Sequence, residues 1–307
     1  MSTPIVSVEH VRKRFAATQA VDDLSLEIAR GEMFGLIGPD GAGKTTTIRL
    51  ICGLLRPDAG TIRVLGHDPV AQHARVTEHV GYLSQRFSLY GDLSIDENIA
   101  FFAELHGVRD YASRRNRLLD MTQLTPFRDR LADRLSGGMK QKLALACTLV
   151  HEPQVILLDE PTTGVDPVSR REFWKLLSEF LAQGITIVMA TPYLDEAERC
   201  SRVALLSSGT LLVSDTPAAL RQGLAGVMVE VIATPQAVAM GVLEGLDGVA
   251  DVEGFGERMH VRVVAPDLAA CLSSMTAALA GRGVTVASVR EVPASLEDVF
   301  IHKVQPV

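Results

Sequence analysis

The segment GPDGAGKTT, residues 38–46, constrains the fold of this chain more than any other stretch. A short apolar run, EMFGLI at 32–37, precedes it, and a helix-forming stretch begins near Lys44. In the pattern G-x-x-x-x-G-K-[ST], glycines let backbone N–H groups wrap a phosphate chain, and the N-terminus of the next helix faces its negative charge. The segment therefore predicts a strand, a phosphate-binding loop and a helix, and it disfavours a glycine turn of purely structural purpose.

The side chains of this loop have separate roles. Lys44 reaches the outer phosphates of a nucleotide as a point charge, and Thr45 offers a hydroxyl to Mg²⁺. Asp40 places a carboxylate inside the loop, which is mildly adverse if it faces a phosphate, but the cradle itself is made by backbone. We expect the nucleotide-binding residues of the loop to be Gly38, Asp40, Gly41, Ala42, Gly43, Lys44, Thr45 and Thr46.

Two further apolar runs are typical of buried strands: QVILLD at 154–159 and ITIVMA at 185–190. Helical patterns such as RREFWKLLSEFLAQ separate the strands. Short apolar strands alternating with helices predict an α/β unit with a mainly parallel sheet, and ligands then bind at the carboxyl ends of the strands. Residues 92–146 carry mostly helical patterns, which predicts a helical insertion in this unit.

An acidic pair, Asp159 and Glu160, follows the second apolar run. Adjacent residues on a strand point to opposite sides, so the two carboxylates are expected to do different work. We assign Asp159 to the metal shell and Glu160 to polarising an attacking water. Such a pair alone is more often a solvated strand end, but the phosphate loop upstream favours the functional interpretation.

A third motif lies in RLSGGMKQKLALACTLV at 134–150, where Ser136, Gly137 and Gly138 precede an amphipathic helix. A serine before two glycines at a helix start makes a cap that faces anions. Alone the motif is weak, because Ser-Gly-Gly is also a common helix cap.

In combination, these segments resemble the nucleotide-binding subunit of an ATP-binding cassette (ABC) transporter, over roughly residues 5–215. GPDGAGKTT resembles the Walker A loop, LSGGM the family signature, and VILLDEP the Walker B strand. Gln85 in VGYLSQ resembles the Q-loop, and Asp166 in TTGVDP lies in a segment similar to the D-loop. Phe15 falls where the family stacks an aromatic ring on adenine, and the alternative for Phe15 is a core aromatic.

The resemblance implies a P-loop NTPase cassette that uses ATP and Mg²⁺. It implies Glu160, Gln85 and Lys44 as catalytic residues, and metal contacts from Thr45, Gln85 and Asp159. Two cassettes would sandwich two ATP molecules, so that Ser136, Gly137 and Gly138 of one chain meet the nucleotide of the other, and Asp166 also contributes. A second cassette is therefore an expected partner, in a homodimer or a heterodimer.

The run LYGDLSIDENIAFFAELHG and the ending ASLEDVFIHKV are similar to subunits that serve exporter-type (ABC-2) permeases. This predicts an ATPase that energises export through a separate membrane permease. Two rival classes are soluble ABC proteins of translation or repair, and a nucleotide-binding partner without turnover. The first rival class usually has paired cassettes or long coiled coils, which this sequence lacks.

One position departs from the family pattern. Where the strand ITIVMAT would be followed by a switch histidine, this chain has Pro192, which supplies neither a side-chain donor nor a backbone N–H. In one interpretation Thr191 or a water replaces the donor, and hydrolysis persists at a rate lower by about 10² to 10³. In the other, the chain binds ATP but hydrolyses it poorly beside a competent cassette. The intact Glu160 favours the first.

Length and composition set the remaining bounds. At 307 residues the chain is expected to form two units, a cassette at 1–222 and an α+β domain at 223–307. The second unit has the strand and helix order of a ferredoxin-like fold, and we interpret it as a packing or dimer-supporting extension rather than a ligand sensor. The net charge of -7 gives no overall attraction to nucleic acid.

No apolar run approaches the roughly 18 residues of a membrane span, and the amino terminus meets charge too early for a secretory signal. We therefore expect a cytoplasmic chain held on the inner face of the membrane by its permease. The dispersed cysteines fit a reducing compartment. His151, in the loop HEPQ, is expected to be a surface residue.

Overall fold

The computed structural model describes residues 3–85 and 89–304, and these form two compact units, Met1–Thr216 and Pro217–Val307. The expected boundary at residue 222 therefore lies at the far end of the helix Pro217–Gln222. That helix packs against the C-terminal helix Leu296–Val304, which places it in the second unit.

The strands of the first unit form two sheets. In the described part of this unit the strands are β1 Val6–Phe15, β2 Thr18–Ile28, β3 Met33–Ile37, β4 Ala59–Val64, β5 Val80–Leu83, β6 Val155–Asp159, β7 Thr186–Thr191, β8 Arg202–Ser207 and β9 Thr210–Asp215. The larger sheet has the order β5-β6-β7-β3-β8-β9, and all its neighbours are parallel except β8 and β9. The smaller sheet, β2-β1-β4, is antiparallel. The prediction of a mainly parallel sheet is confirmed.

The three predicted strands β3, β6 and β7 are buried along their whole length. Strands covered on both faces are continuously apolar, which explains why these runs were readable from sequence. Their side chains join a large core cluster that also includes residues of the antiparallel sheet. Since the strands are parallel, their carboxyl ends lie at one edge of the sheet.

The helices of the first unit surround this sheet. In its described part they are α1 Lys44–Ile51, α2 His73–Thr77, α3 Ile95–Leu105, α4 Ala112–Thr122, α5 Gly137–Leu149, α6 Pro167–Ala182 and α7 Leu194–Ala197. Residues 92–146 contain α3, α4, two short 3-10 turns and most of α5, as predicted for a helical insertion. Helix α3 starts at a capping box, in which Ser94 and Glu97 each accept the other's backbone N–H.

The second unit is an antiparallel sheet covered by helices. Its elements are α8 Pro217–Gln222, β10 Val227–Thr234, α9 Gln236–Leu243, β11 Val249–Phe255, β12 Arg258–Val263, α10 Leu268–Gly281, β13 Thr285–Val292 and α11 Leu296–Val304. The sheet order is β11-β12-β10-β13, and a core forms between this sheet and helices α9 and α10. From β10 to β13 the elements follow the predicted order. Within the described ranges, no helix of either unit has the length and apolar character needed to cross a membrane.

His151 is not the surface residue that its loop suggested. Its ring stacks on His106 at the end of α3, with ring centroids 3.9 Å apart and planes 5° apart. Burial, assisted by the neighbouring His106, lowers the pKa of His151 to about 4. The loop turns inward because it must connect α5 directly to the buried strand β6.

This stacked pair predicts a pH dependence of stability. The folded state keeps His151 neutral, whereas the unfolded chain protonates near pH 6.5, so stability is complete above that pH and falls as the pH drops toward about 4. The loss reaches up to about 3 kcal/mol. Urea midpoints at pH 7.5 and pH 5 measure it, and His151→Gln is expected to flatten the difference. His10→Gln, at a ring that is 79% exposed, is the control, and an equal flattening there would contradict the assignment.

Candidate functional site

The loop between β3 and α1 takes a backbone path that requires glycine. Gly41 and Gly43 have φ of 80° and 96°, in the left-handed region. A Cβ on Gly38 would clash with the carbonyl oxygen of Leu206, and one on Gly43 with that of Ala20. These close approaches pack the loop against β8 and β2, so the loop is held by its surroundings before any ligand binds.

A cavity of about 450 Å³ opens at this loop. The predicted residues that line it are Asp40, Gly41, Ala42, Gly43, Lys44, Thr45, Thr46, Gln85 and Glu160. Thr18 and Ala20, at the start of β2, also line it. Sequence reasoning missed these two, because their place depends on how the antiparallel sheet lies against the loop.

Lys44 lies at the centre of the loop with only 4% of its surface exposed. Its Nζ donates hydrogen bonds to the carbonyl oxygens of Gly38 at 2.8 Å and Pro39 at 2.9 Å, and it lies 3.7 Å from Glu160 Oε1. The ammonium group is therefore held between the loop backbone and a carboxylate, in the wall of the cavity.

Asp159 and Glu160 contact different partners, and Glu160 already lies outside β6. Thr45 Oγ1 donates to Asp159 Oδ1 at 2.8 Å. Burial raises the pKa of Asp159, and the hydrogen bond from Thr45 opposes this shift. Hydroxyl and carboxylate oxygens suit Mg²⁺, which keeps water and substrate phosphates as its other ligands. The pair fits that metal without forming a complete cage, so a metal ion here would need phosphate oxygens to complete its shell.

Glu160 is held at both its side chain and its backbone. Its Oε2 accepts hydrogen bonds from Gln85 Nε2 at 3.0 Å and from Thr163 Oγ1 at 3.3 Å. Its φ of 48° is unusual for a residue other than glycine and costs on the order of 1–3 kcal/mol. The backbone N–H of Glu160 donates to Ala190 O on β7 at 2.9 Å, which holds the residue in this conformation.

The signature and D-loop residues pack against each other rather than against the cavity. Ser136 caps α5 by accepting from Met139 N–H at 3.3 Å, and a Cβ on Gly138 would clash with Ser169. Asp166 caps α6 by accepting from Val168 and Ser169 N–H, both at 3.0 Å. A hydrogen bond from the Ser169 side chain, followed by these backbone bonds, lowers the pKa of Asp166. None of Ser136, Gly137, Gly138 and Asp166 lines the cavity, so their roles toward a nucleotide stay predictions.

Phe15 is 45% exposed, which excludes a core aromatic. It pairs across the β1–β2 ladder with Thr18, a residue that lines the cavity, and Lys13 Nζ lies 5.6 Å from its ring centroid. The ring is therefore near the mouth of the cavity, while stacking on a base stays a prediction.

The strand end at Thr191 and Pro192 does not offer a donor to the cavity. Thr191 is buried, its hydroxyl donates to Glu196 Oε2 at 2.6 Å, and it accepts from Tyr193 N–H at 3.1 Å. Neither Thr191 nor Pro192 lines the cavity. The Thr191 hydroxyl is thus engaged inside the fold, and the replacement for the missing histidine stays a prediction.

The position of Lys44 predicts a strong dependence of nucleotide affinity on its charge. Lys44→Met removes charge-assisted hydrogen bonds worth about 1.5–3 kcal/mol each, so the affinity for a fluorescent ATP analogue is expected to fall at least about tenfold. Lys175→Met, at an exposed lysine of α6, is the matched control. Equal affinities for Lys44→Met and the control would contradict the assignment.

Comparison with known proteins agrees with this geometry. A family model described as ABC transporter matches residues 21–163. The chain is 47% identical over 230 residues to the probable multidrug ABC transporter ATP-binding protein YbhF of Escherichia coli, which covers 74% of this chain. The match spans only 40% of that longer relative. A daunorubicin resistance ATP-binding protein, DrrA3 of Streptomyces coeruleorubidus, is 33% identical over 305 residues, covering 98% of this chain and 96% of the relative.

Among solved structures, the first unit resembles a dimeric ATP-binding cassette, MJ0796, in a post-hydrolysis state with ADP and Pi. The TM-score is 0.61 at 25% identity, over 69% of this chain and 98% of the other. The matched family segment includes the phosphate loop and the strand that ends at Asp159. The chain therefore belongs to the ABC transporter family, as an ATP-binding subunit with the P-loop NTPase fold.

Proposed function

We propose that this chain binds and hydrolyses ATP and, paired with a second cassette, energises export through a separate membrane permease. The observation that carries the proposal is the convergence of Lys44, Gln85 and Glu160 on one cavity beside the Thr45–Asp159 pair. The names of the two relatives, a probable multidrug ABC transporter ATP-binding protein and a daunorubicin resistance ATP-binding protein, support export.

Nucleotide binding follows from the loop. Lys44 and the backbone N–H groups of residues 41–46 bind the phosphates, and Phe15 lies near the cavity mouth where a base would stack. Thr45, Asp159 and Gln85 would hold Mg²⁺, which neutralises phosphate charge as it develops in the reaction. Because Thr45 Oγ1 and Asp159 Oδ1 are already 2.8 Å apart, little rearrangement is needed to present both oxygens together.

Hydrolysis depends on Glu160. Its carboxylate accepts the proton of an attacking water, and Gln85, at 3.0 Å from Oε2, orients the carboxylate and the water. Lys44 Nζ lies 3.7 Å from Glu160 Oε1 and balances the charge of Glu160. A phosphate that enters the cavity would bind Lys44 in place of Glu160. Glu160 Oε1 would then be free to accept a hydrogen bond from the water.

A second cassette supplies what one chain lacks. Ser136, Gly137 and Asp166 are exposed and lie away from the cavity of their own chain, so they are free to meet the nucleotide of a partner. The similarity to a cassette solved as a dimer supports this arrangement. We infer that the membrane attachment is indirect, on the inner face, through an ABC-2 type permease.

The decisive measurement is ATP turnover of the purified chain and two variants. Glu160→Gln is expected to lower kcat by about 10² to 10⁴ while nucleotide affinity is kept, because only the proton acceptor is lost. Pro192→His restores a donor and is expected to raise kcat by up to about 10².

Glu179→Gln, an exposed glutamate on α6, controls for the change of charge. Turnover that is unaffected by Glu160→Gln would show that the proton acceptor is another group. A wild-type chain without turnover, both alone and with every co-purified cassette, would reduce the function to nucleotide binding.

Transport coupling has its own test. Affinity purification of the tagged chain from detergent-solubilised native cells is expected to recover an integral membrane protein in a stable complex that stimulates turnover. Recovery of the chain without any membrane protein, from cells that express it at the native level, would contradict the permease assignment.

A further inference from the structure

A buried carboxylate lies directly behind the site, at Glu196 on α7. Its side chain is 1% exposed, and both of its oxygens are used. Oε1 accepts from Thr162 Oγ1 and from Arg170 Nε, the latter at 2.8 Å. Oε2 accepts from Thr191 Oγ1 at 2.6 Å.

The three donors belong to three separate parts of the fold. Thr162 lies two residues after Glu160, and Thr191 ends β7 immediately before Pro192. Arg170 lies on α6, the helix that Asp166 caps. One carboxylate therefore connects the segment after the proposed base, the switch strand and the D-loop helix.

The buried Glu196 carboxylate is stabilised by strong interactions. A buried carboxylate is costly unless it is paired and fully hydrogen-bonded, and Glu196 has a guanidinium and two hydroxyls. Arg170 also donates to both oxygens of Asp195 at 3.1 Å, and its guanidinium lies 4.8 Å from the ring centroid of Tyr193. The segment that follows Pro192 is thus held through contacts of Tyr193, Asp195 and Glu196.

The same strand end also holds Glu160. Its backbone N–H bonds Ala190 O, the residue before Thr191, so the strained φ of Glu160 is maintained against β7. Glu196 binds Thr162 and Thr191, and each of these residues lies within two positions of one end of the Glu160–Ala190 hydrogen bond. Any shift of Glu196 would be passed to Glu160 through both chain segments.

We propose that Glu196 is a positioning residue that sets the place of the Glu160 carboxylate in a chain whose switch position, Pro192, has no donor. This inference rests on the proposed hydrolysis. Pro192 cannot hold Glu160 and the water from the side of the cavity. The charged, fully hydrogen-bonded Glu196 then fixes the position of Glu160 from the opposite side.

The identity of the residue matters as well as its size. In Glu196→Gln, an amide nitrogen replaces one of two accepting oxygens, so either the Thr191 hydroxyl or the pair of donors on Oε1 loses its acceptor. Arg170 then keeps only the exposed Asp195 as a counter-charge. The variant keeps the volume of the side chain and removes the charge that pairs with Arg170.

Turnover of Glu196→Gln, counted per bound nucleotide, tests the proposal. We expect kcat to fall by about 10- to 100-fold, while the dissociation constant for a fluorescent ATP analogue changes by less than about threefold, since Glu196 does not line the cavity. Glu179→Gln is the matched control and is expected to behave as wild type. A kcat for Glu196→Gln within twofold of wild type would overturn the inference.

Two further variants keep the test decisive if Glu196→Gln folds poorly. Thr191→Val removes one donor and keeps the shape, and it is expected to lower kcat by about three- to tenfold. Wild-type turnover in Thr191→Val would overturn the proposal. Pro192→His supplies a side-chain donor to the water. It is expected to raise kcat by a larger factor in Glu196→Gln than in wild type. Equal factors would show that residues 192 and 196 act independently.

Trp174 gives a readout that does not require hydrolysis. It is the only tryptophan, it is 4% exposed, and the guanidinium of Arg199 lies 5.4 Å from its ring. Arg199 N–H bonds Glu196 O at 3.0 Å, so the emission of Trp174 reports the position of this segment.

We expect Glu196→Gln to shift the Trp174 emission and the Glu179→Gln control to leave it unchanged. Unchanged emission in Glu196→Gln would overturn the network even for a chain without turnover. Absence of turnover in wild type, with a shifted emission in the variant, would contradict the proposed hydrolysis and leave the network standing.

Discussion

The parallel register of β6, β7 and β3 is the constraint on which the site depends. Ile37 pairs with Thr191, and Asp159 pairs with Ala190, so the three strands end at the same level. The loop that follows β3, the acids that follow β6 and the turn that follows β7 consequently lie side by side. In a parallel sheet with buried faces, a shift in register would separate them and expose apolar side chains, so core packing also fixes the geometry of the chemistry.

Charge in the site is balanced within a few ångströms. Lys44 is almost fully buried, and its ammonium is satisfied by two carbonyl oxygens and by Glu160. Asp159 is buried with a raised pKa and is bonded by Thr45. Each group has a partner that a nucleotide could replace, because Lys44 and Thr45 are also the groups suited to phosphate and metal. The groups that would bind phosphate and metal are therefore already held in place by contacts within the chain.

The sequence was sufficient for those parts of the site that have local signals. Continuous apolar runs located β3, β6 and β7 within two residues of their observed bounds, and the glycine pattern located the loop. The sequence was insufficient where the burial of a side chain depends on segments that are distant in the chain. Glu196 lies in an acidic stretch typical of an exposed helix, and the threonine five residues before it gives no local indication of a bond. Its burial follows from Arg170 and Thr162, which only the folded chain brings to it.

The same reasoning explains why the position of His151 differs from the prediction. A short polar loop before a strand is usually exposed, but this one is drawn inward by the strand it enters, and its ring finds His106 from the helical insertion. The helix at 217–222 follows the cassette in sequence yet packs on α11, a contact over a long sequence separation. Both contacts join segments that are far apart in the chain, so local sequence patterns do not reveal them.

Pro192 is compatible with this architecture for a physical reason. A proline fixes its own φ and lacks an N–H, which would leave a strand end less well bonded if a donor were needed there. Here the next N–H, that of Tyr193, bonds back to the Thr191 hydroxyl, and the turn then buries Glu196. The proline ring, which fixes φ at position 192, therefore stiffens the turn that carries the Glu196 carboxylate. In the proposed arrangement, this rigid turn lets the strand end position Glu160 through Glu196, without a side-chain donor at residue 192.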